Sequence, residues 1–212
     1  MIVIFDLDGT LTQKDTYLSF LGRCVKELKI RNTSLLSLPF HTLLFYLKII
    51  SNHDLKEHFL RTILSGVPVK KIEPIADRFI SRLMQSGINK TILSRLYQYQ
   101  QDGHSVILAT ASFDFYVSKL AQKLAISQVI CTRAEIKNGR LTGRILGRNC
   151  HGTEKINRLE DLFSRHDWEN TIVYSDHYSD FPLLIKGSKS YLVKPNALTR
   201  FKLRKYNFPV ID

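Results

Sequence analysis

The feature that most constrains the fold is an apolar run near the start of the chain that ends in two acidic residues. The run Ile2–Phe5 is followed by Asp6, Leu7, Asp8 and Gly9. β-Branched and aromatic residues favour extended backbone, and an unbroken apolar run is typical of a strand covered on both faces in a parallel sheet. Sheets of this kind bind ligands at the carboxyl edge. The sequence therefore predicts a charged site where this strand ends.

Asp6 and Asp8 are one residue apart, and carboxylates this close repel each other unless a cation or a shared proton compensates them. Mg²⁺ suits such a place because it prefers oxygen ligands and is held by one or two carboxylates together with substrate phosphate. The alternative is purely structural. In it, Gly9 supplies an unusual backbone angle in an acidic turn and Thr10 caps a helix. The motif alone leaves both interpretations open.

A second polar cluster follows the next predicted strand. The strand predicted over residues 105–110 ends in Thr110, and Ala111 and Ser112 then precede a predicted helix. Hydroxyl and backbone N–H groups at the start of a helix form a ready phosphate site. Ser112 is equally well explained as the N-cap of that helix.

Two further signals lie in the last third of the chain. Lys155 falls in the first turn of a helix predicted to begin near Thr153. The start of a helix already carries partial positive charge, so a lysine there fits best if the two share an anion. An apolar strand predicted over residues 171–175 ends in Asp176, and Asp180 follows, which repeats the arrangement of the first strand.

Taken in this order, the four motifs resemble those of the haloacid dehalogenase (HAD) superfamily of phosphotransfer enzymes, closest to its phosphoserine-phosphatase-like subfamily IB. The resemblance implies an α/β fold with a Rossmann-like parallel sheet flanked by helices. It also implies an all-helical cap inserted between strands 1 and 2 and a small β-hairpin. The sequence supports the hairpin independently, since Asn138-Gly139 between two short runs is a strong hairpin signal.

The resemblance also implies roles for individual residues. Asp6 would be the nucleophile, and Asp8 would be the general acid and base. The other implied roles are phosphate binding by Thr110, Ala111 and Lys155, metal binding by Asp6, Asp8 and Asp176, and support of the site by Thr10 and Asp180. Candidate substrate contacts are Asp15, Arg61 and Ser112, although Asp15 is equally well explained as a helix cap.

Residues 17–97 are predicted to be helical throughout, because apolar residues such as Leu18, Leu21 and Val25 recur at near-helical spacing. A helical block of this length is too long for a simple crossover between two strands. We therefore expect residues 17–97 to form a cap domain, with residues 1–16 and 98–212 forming the catalytic core.

Residues 35–50 are mostly large and apolar. The stretch is too short and too interrupted to span a bilayer, which takes about 20 predominantly apolar residues. One interpretation is a cap helix buried against its neighbours. The other is an interfacial helix lying on a membrane, with Lys29, Arg31 and Lys48 at its polar margins.

Composition narrows the class of protein. The chain has 212 residues, 44% of them hydrophobic, and a formal net charge of +12, which favours anionic partners such as phosphorylated metabolites, lipid surfaces or nucleic acid. The cysteines Cys24, Cys131 and Cys150 are too widely spaced to suggest a zinc site or a disulfide framework. Asp6 and Asp8 interrupt any apolar leader, so we expect a cytoplasmic protein, with association at the inner face of the membrane as a further option.

The sequence thus predicts a Mg²⁺-dependent phosphomonoester hydrolase that acts through an aspartyl-phosphate on a small phosphorylated metabolite such as phosphoserine. One alternative is a membrane-associated lipid phosphatase with a phosphatidylglycerophosphate-like substrate. A second alternative, of another class, is a non-catalytic protein that binds anions or nucleic acid. The complete set of acidic motif residues disfavours nucleic-acid binding.

Overall fold

The computed structural model describes residues 1–30 and 33–212. The strands are β1 (Ile2–Phe5), β2 (Ser105–Phe113), β3 (Gln128–Thr132), β4 (Ala134–Lys137), β5 (Arg140–Ile145), β6 (Thr171–Ser175), β7 (Lys189–Val193) and β8 (Val210–Ile211). The helices are α1 (Tyr17–Glu27), α2 (Leu38–Tyr46), α3 (Asn52–Leu64), α4 (Val69–Ser86), α5 (Lys90–Gln101), α6 (Asp114–Lys123), α7 (Thr153–Glu160), α8 (Arg165–Glu169), α9 (Phe181–Lys186) and α10 (Ala197–Leu203).

Six strands form one parallel sheet in the order β3-β2-β1-β6-β7-β8. β1 lies near the centre, and its residues alternate between two apolar clusters: Val3 and Phe5 belong to one and Ile4 to the other. Phe5 is aligned with Leu108 of β2 and Tyr174 of β6, so these three strands end at the same edge. The parallel sheet with helices on both faces confirms the predicted α/β fold.

The predicted hairpin is formed by β4 and β5, which pair in antiparallel register. Asn138 and Gly139 at its tip have φ angles of 51° and 70°. Two successive residues with positive φ are what a tight hairpin turn requires, because its twist then matches the twist of the strands. The hairpin lies against α3, where the backbone N–H of Ile145 donates to Glu57 Oε1 at 2.8 Å.

Residues 17–97, between β1 and β2, contain helices α1 to α4 and the first part of α5, which continues to Gln101. Several of their apolar side chains, including Phe20, Ile75 and Ile80, belong to the same buried cluster as Val3 and Phe5. This segment therefore packs closely on the sheet domain. Its division from residues 1–16 and 98–212 as a separate cap stays a prediction.

The apolar stretch 35–50 forms a short 3₁₀ turn (Thr33–Ser37) followed by α2. Leu35 and Leu38 pack partly against the main apolar cluster, but α2 contains no buried residue. The segment therefore packs against its neighbours through one side, while its other side is exposed. Arg31, predicted at a margin of this stretch, lies outside the described residues. No helix in the described part of the chain is both long and apolar enough to cross a bilayer.

Candidate active site

A cavity of about 420 Å³ opens at the edge of the sheet where β1, β2 and β6 end. Its lining includes eight of the residues predicted from the sequence: Asp6, Asp8, Asp15, Ala111, Ser112, Lys155, Asp176 and Asp180. Thr10, Thr110 and Arg61 do not line it. Side chains that are more than a hundred residues apart in the chain thus meet because parallel strands place their carboxyl ends together.

Lys155 lies at the centre of the acidic cluster. Its Nζ donates to Asp6 Oδ1 at 2.6 Å and to Asp180 Oδ2 at 2.7 Å, and its side chain is only 3% exposed. Ser175 Oγ also donates to Asp180 Oδ2, at 2.8 Å. Burial would lower the pKa of Lys155, but the carboxylates of Asp180 and Asp6 outweigh it and raise the pKa, so Lys155 is held as a cation.

Asp6 follows directly after β1 and is buried. Burial raises its pKa well above the usual value, and Lys155 opposes this effect while the acids around it add to it. Lys155 occupies Oδ1, and no donor among the described residues reaches Oδ2. The second oxygen is therefore available to a reacting group in the cavity.

Asp8 is held by three hydrogen bonds. Its Oδ1 accepts from the backbone N–H and from the hydroxyl of Thr16, both at 2.6 Å, and its Oδ2 accepts from Ser112 Oγ at 2.5 Å. Thr16 Oγ1 lies 3.0 Å from the hydroxyl of Tyr116, which extends this polar network into α6. The orientation of Asp8 is thus fixed from two directions. Neither Thr16 nor Tyr116 was predicted, since no local motif marks them.

Asp176 follows β6 and lies against the backbone of Gly9. A Cβ placed on Gly9, which has a φ of 81°, would lie 2.3 Å from Asp176 Oδ2. Burial, together with the negative charge of Asp180, raises the pKa of Asp176 to about 7. The close approach of these two chain segments requires glycine at position 9.

The donor set fits a hard cation. Four carboxylates, of Asp6, Asp8, Asp176 and Asp180, line the cavity, two of them paired with Lys155, and the pKa values of Asp6 and Asp176 are raised. Among the described residues, no three His, Cys, Asp or Glu side chains form a ready-made metal cluster. Mg²⁺ does not require one, because it keeps several waters and takes one or two carboxylates together with phosphate oxygens. Asp6 and Asp176 are the residues best placed to hold it.

The hydroxyl that reaches the cavity at the end of β2 is that of Ser112 rather than Thr110. Thr110 is fully buried, and its Oγ1 accepts from the backbone N–H of Ser112 at 3.0 Å. The pairing of β2 with β3 is irregular between Ala109 and Phe113, the stretch that contains both hydroxyls. Thr10 is likewise fully buried, and its hydroxyl has no partner among the described residues.

Lys56 of α3 lines the cavity and was not predicted. Its Nζ donates to the carbonyl oxygen of Ala111 at 2.6 Å and to Asn149 Oδ1 at 3.4 Å. Burial lowers its pKa to about 8. Arg61, which was predicted, is five residues further along the helix and so faces another direction. Its guanidinium lies 3.5 Å from Glu57 Oε2, outside the cavity.

Asp15 makes the capping contact that the sequence offered, while its contact with substrate stays a prediction. It lines the cavity, and its Oδ1 also accepts from the backbone N–H of Leu18 at 2.9 Å at the start of α1. Burial and the negative charge of Asp8 raise its pKa. The remaining wall is polar, and it comprises Gln13, Lys14, Asn52, His151, His177 and Ser179.

Comparison with known proteins is consistent with this geometry. The model of the haloacid dehalogenase-like hydrolase family matches residues 3–184. Protein CicA of Caulobacter vibrioides is 30% identical over 199 residues, which is 91% of this chain and 86% of CicA. A Bordetella pertussis protein of unknown function has a similar structure, with a TM-score of 0.86 and 19% identity over 100% of this chain and 97% of that one. A phosphoserine phosphatase, solved as a phospho-aspartyl intermediate analogue, gives a TM-score of 0.69 and 17% identity over 99% and 92%.

Proposed function

The chain belongs to the haloacid dehalogenase-like hydrolase family and is a phosphatase. We propose that it hydrolyses phosphomonoesters through an aspartyl-phosphate on Asp6, with Mg²⁺ as cofactor. The observation that carries this proposal is the buried cluster in which Lys155 joins Asp6 and Asp180 at the floor of the cavity. Subfamily IB remains an expectation from the sequence.

The hydrogen bonds of Asp6 and Asp8 support the first half of the proposed reaction. Asp6 Oδ2 attacks the phosphorus atom, and the bond between phosphorus and the ester oxygen breaks. Asp8, held by Thr16 and Ser112, gives its proton to the departing oxygen. Lys155 neutralises charge on Asp6 and on the phosphoryl oxygens, since phosphoryl transfer is accelerated mainly by positioning and by charge stabilisation.

The second half returns the enzyme to its starting state. Asp8, now a carboxylate, takes a proton from a water molecule that attacks the phosphorus of the aspartyl-phosphate. The bond between Asp6 and phosphorus breaks, and inorganic phosphate leaves. Mg²⁺, held by Asp6 and Asp176, would neutralise phosphate charge and reduce its repulsion by the acidic cluster.

For the substrate we propose a small phosphorylated metabolite such as phosphoserine. A cavity of about 420 Å³ matches a small ligand, and solved phosphoserine phosphatases share the fold. A second candidate is a phosphomonoester carried on a lipid, of the phosphatidylglycerophosphate type. It is favoured by large exposed apolar side chains, such as Tyr46 and Ile49, on the segment that precedes Asn52 of the cavity wall. The phosphatases among the proteins that this chain resembles argue against the remaining alternative, a non-catalytic protein that only binds anions or nucleic acid.

The test is phosphate release with Mg²⁺ from soluble phosphomonoesters and from a phosphorylated lipid in mixed micelles. We expect Asp6→Asn to lower kcat by roughly a thousandfold or more, because the amide cannot act as the nucleophile. Circular dichroism of the variant checks that it is folded. Release from no substrate in the panel, or an Asp6→Asn variant as active as the wild type, would overturn the proposal.

A further inference from the structure

The 3₁₀ turn and α2 present a continuous apolar face to solvent. Leu36, Phe40, Leu43 and Leu47 recur at intervals of four, three and four residues, and they are 82%, 58%, 54% and 60% exposed. Residues at this spacing lie on one side of a helix. These four residues, together with the exposed Tyr46 and Ile49, are called the α2 face. Isolated exposed apolar residues are ordinary, but a contiguous group marks an interaction site.

The opposite side of this segment is fixed to α3. The rings of His41 and His58 stack with their centroids 3.3 Å apart, and Ser37 Oγ lies 2.9 Å from His58 Nε2. Leu35 and Leu38 pack against the main apolar cluster. Because one side is anchored in this way, the exposure of the α2 face is a feature of the fold.

The charges around the α2 face select its partner. The sequence from Leu28 to His53 contains no Asp or Glu, whereas Lys48 stands between Leu47 and Ile49 of the face and Lys29 precedes the segment in the sequence, and both lysines are exposed. A second copy of the chain on this face would bring the same cations together, and juxtaposed like charges oppose association. An anionic surface is attracted by the same cations.

We propose that the α2 face docks on an anionic phospholipid bilayer. A helix of this kind lies in the plane of the membrane interface, with its apolar side chains at the boundary of the acyl chains and its lysines at the phosphates. Tyr46 is suited to the headgroup level, where its ring and its hydroxyl are both accommodated. This surface function is independent of the proposed catalytic activity.

Docking in this way brings the cavity close to the membrane. The α2 face ends at Ile49, and Asn52, three residues later, lines the cavity together with Lys56. The chain therefore passes from the docking surface to the cavity wall within three residues. A membrane-bound enzyme would meet its phosphomonoester at the level of the lipid headgroups.

Vesicle flotation tests the proposal with three proteins. The first is the wild type. The second carries Phe40→Ser, Leu43→Ser and Leu47→Ser, all at exposed positions. The matched control carries Leu146→Ser, Leu162→Ser and Ile185→Ser, which are 53%, 59% and 54% exposed in the wild type but lie away from α2. The vesicles are phosphatidylcholine alone or phosphatidylcholine with phosphatidylglycerol.

We expect the wild type and the control variant to float with the anionic vesicles, and the α2 variant to lose roughly tenfold or more in partitioning. Lys48→Ala should weaken binding about fivefold, the factor that corresponds to about 1 kcal/mol for one cation near an anionic surface. The catalytic variant Asp6→Asn should float like the wild type, so that failure of docking and failure of catalysis are distinguished.

Three results would overturn the proposal. One is a wild type that does not float with anionic vesicles, and another is an α2 variant that floats as well as the control variant. The third is a wild-type dimer in light scattering that the α2 variant abolishes, because a second copy would then cover the face.

Discussion

At the scale of single residues, Gly9 has no room for a side chain because Asp176 lies against it. A methyl group there meets Asp176 Oδ2 at 2.3 Å. We predict that Gly9→Ala lowers phosphatase activity by roughly a hundredfold or more, because Asp176 must move away from the proposed Mg²⁺ site. The positive φ alone costs an L-residue about 1–2 kcal/mol of stability.

Gly103 provides the matched control. Its φ of 74° is similar, but a Cβ there meets nothing within 4 Å. Gly103→Ala should therefore lose about 1–2 kcal/mol in the free energy of unfolding measured in urea, while keeping its activity. If both variants retain the same activity, the contact between Gly9 and Asp176 does not matter for catalysis.

Lys56 gives a prediction about pH. Its pKa is lowered to about 8 by burial, so it loses its charge as the pH rises through that value. If the cation is needed in the cavity, kcat/KM falls above about pH 8. Lys56→Arg should remove that fall in kcat/KM, because arginine stays charged. Lys56→Met should have a low kcat/KM at every pH. A fall that persists unchanged in Lys56→Arg would assign it to another group.

Lys56 also makes stability depend on pH, but stability should rise where activity falls. In the unfolded chain its pKa is near the ordinary value of 10.5, so between about pH 8 and 10.5 the unfolded state binds more protons than the folded state. The free energy of unfolding of the wild type should therefore rise with pH in this window, relative to that of Lys56→Met. Urea unfolding of the two proteins at matched pH values measures the difference.

The sequence located the site residues that depend on local structure and missed those that depend on tertiary packing. Asp6, Asp176 and Lys155 each follow a strand or open a helix, and such positions can be recognised from the pattern around them. Lys56 contacts Ala111, 55 residues away, only because of how α3 lies against the sheet. Nothing in its own helix distinguishes Lys56 from Arg61.

At the scale of secondary-structure elements, the packing of α3 on the hairpin determines where Lys56 lies. A Cβ on Gly143 of β5, which has a φ of 82°, would lie 2.5 Å from the Cα atom of Arg61. This contact is with backbone, so the helix itself must shift. We predict that Gly143→Ala lowers the free energy of unfolding by about 2–4 kcal/mol, through strain and overpacking together, and also lowers activity.

Gly139 at the hairpin tip is the control for that substitution. It has a φ of 70° and open space around it, so Gly139→Ala should cost about 1–2 kcal/mol and leave activity unchanged. Unfolding in urea and phosphate release measure the two effects. Equal losses in the two variants would show that the contact between α3 and β5 is not tight in solution.

Elements with a clear pattern were predicted well, and the apolar stretch was not. β1, β2 and β6 are apolar runs with polar ends, and the hairpin has Asn138-Gly139 at its tip, so each carries its own signal. In α2, apolar residues stand on both sides of the helix, and periodicity then cannot indicate which side is buried. Only the packing against α3 shows that Leu43 and Leu47 are the exposed ones.

At the scale of the whole molecule, net charge and the charge of the site have opposite signs. The chain carries a formal charge of +12, which predicts attraction for anions. The cavity, however, holds Asp6, Asp8, Asp176 and Asp180 around Lys155, so the floor itself has an excess of negative charge. A phosphate ester attracted by the surface would be repelled there unless a further cation is bound.

This contrast predicts that Mg²⁺ stabilises the fold. At tenfold excess over its Kd, a ligand that binds only the folded state adds about 1.4 kcal/mol, which for a chain of this size raises Tm by about 3–5 °C. Asp176→Asn should lose most of this shift, whereas Asp161→Asn, an exposed acid outside the cavity, should keep it. Chelation should return the wild type to its original Tm. Equal Tm shifts in the two variants would place the bound cation elsewhere, because of these two residues Asp176 alone lies in the acidic cluster.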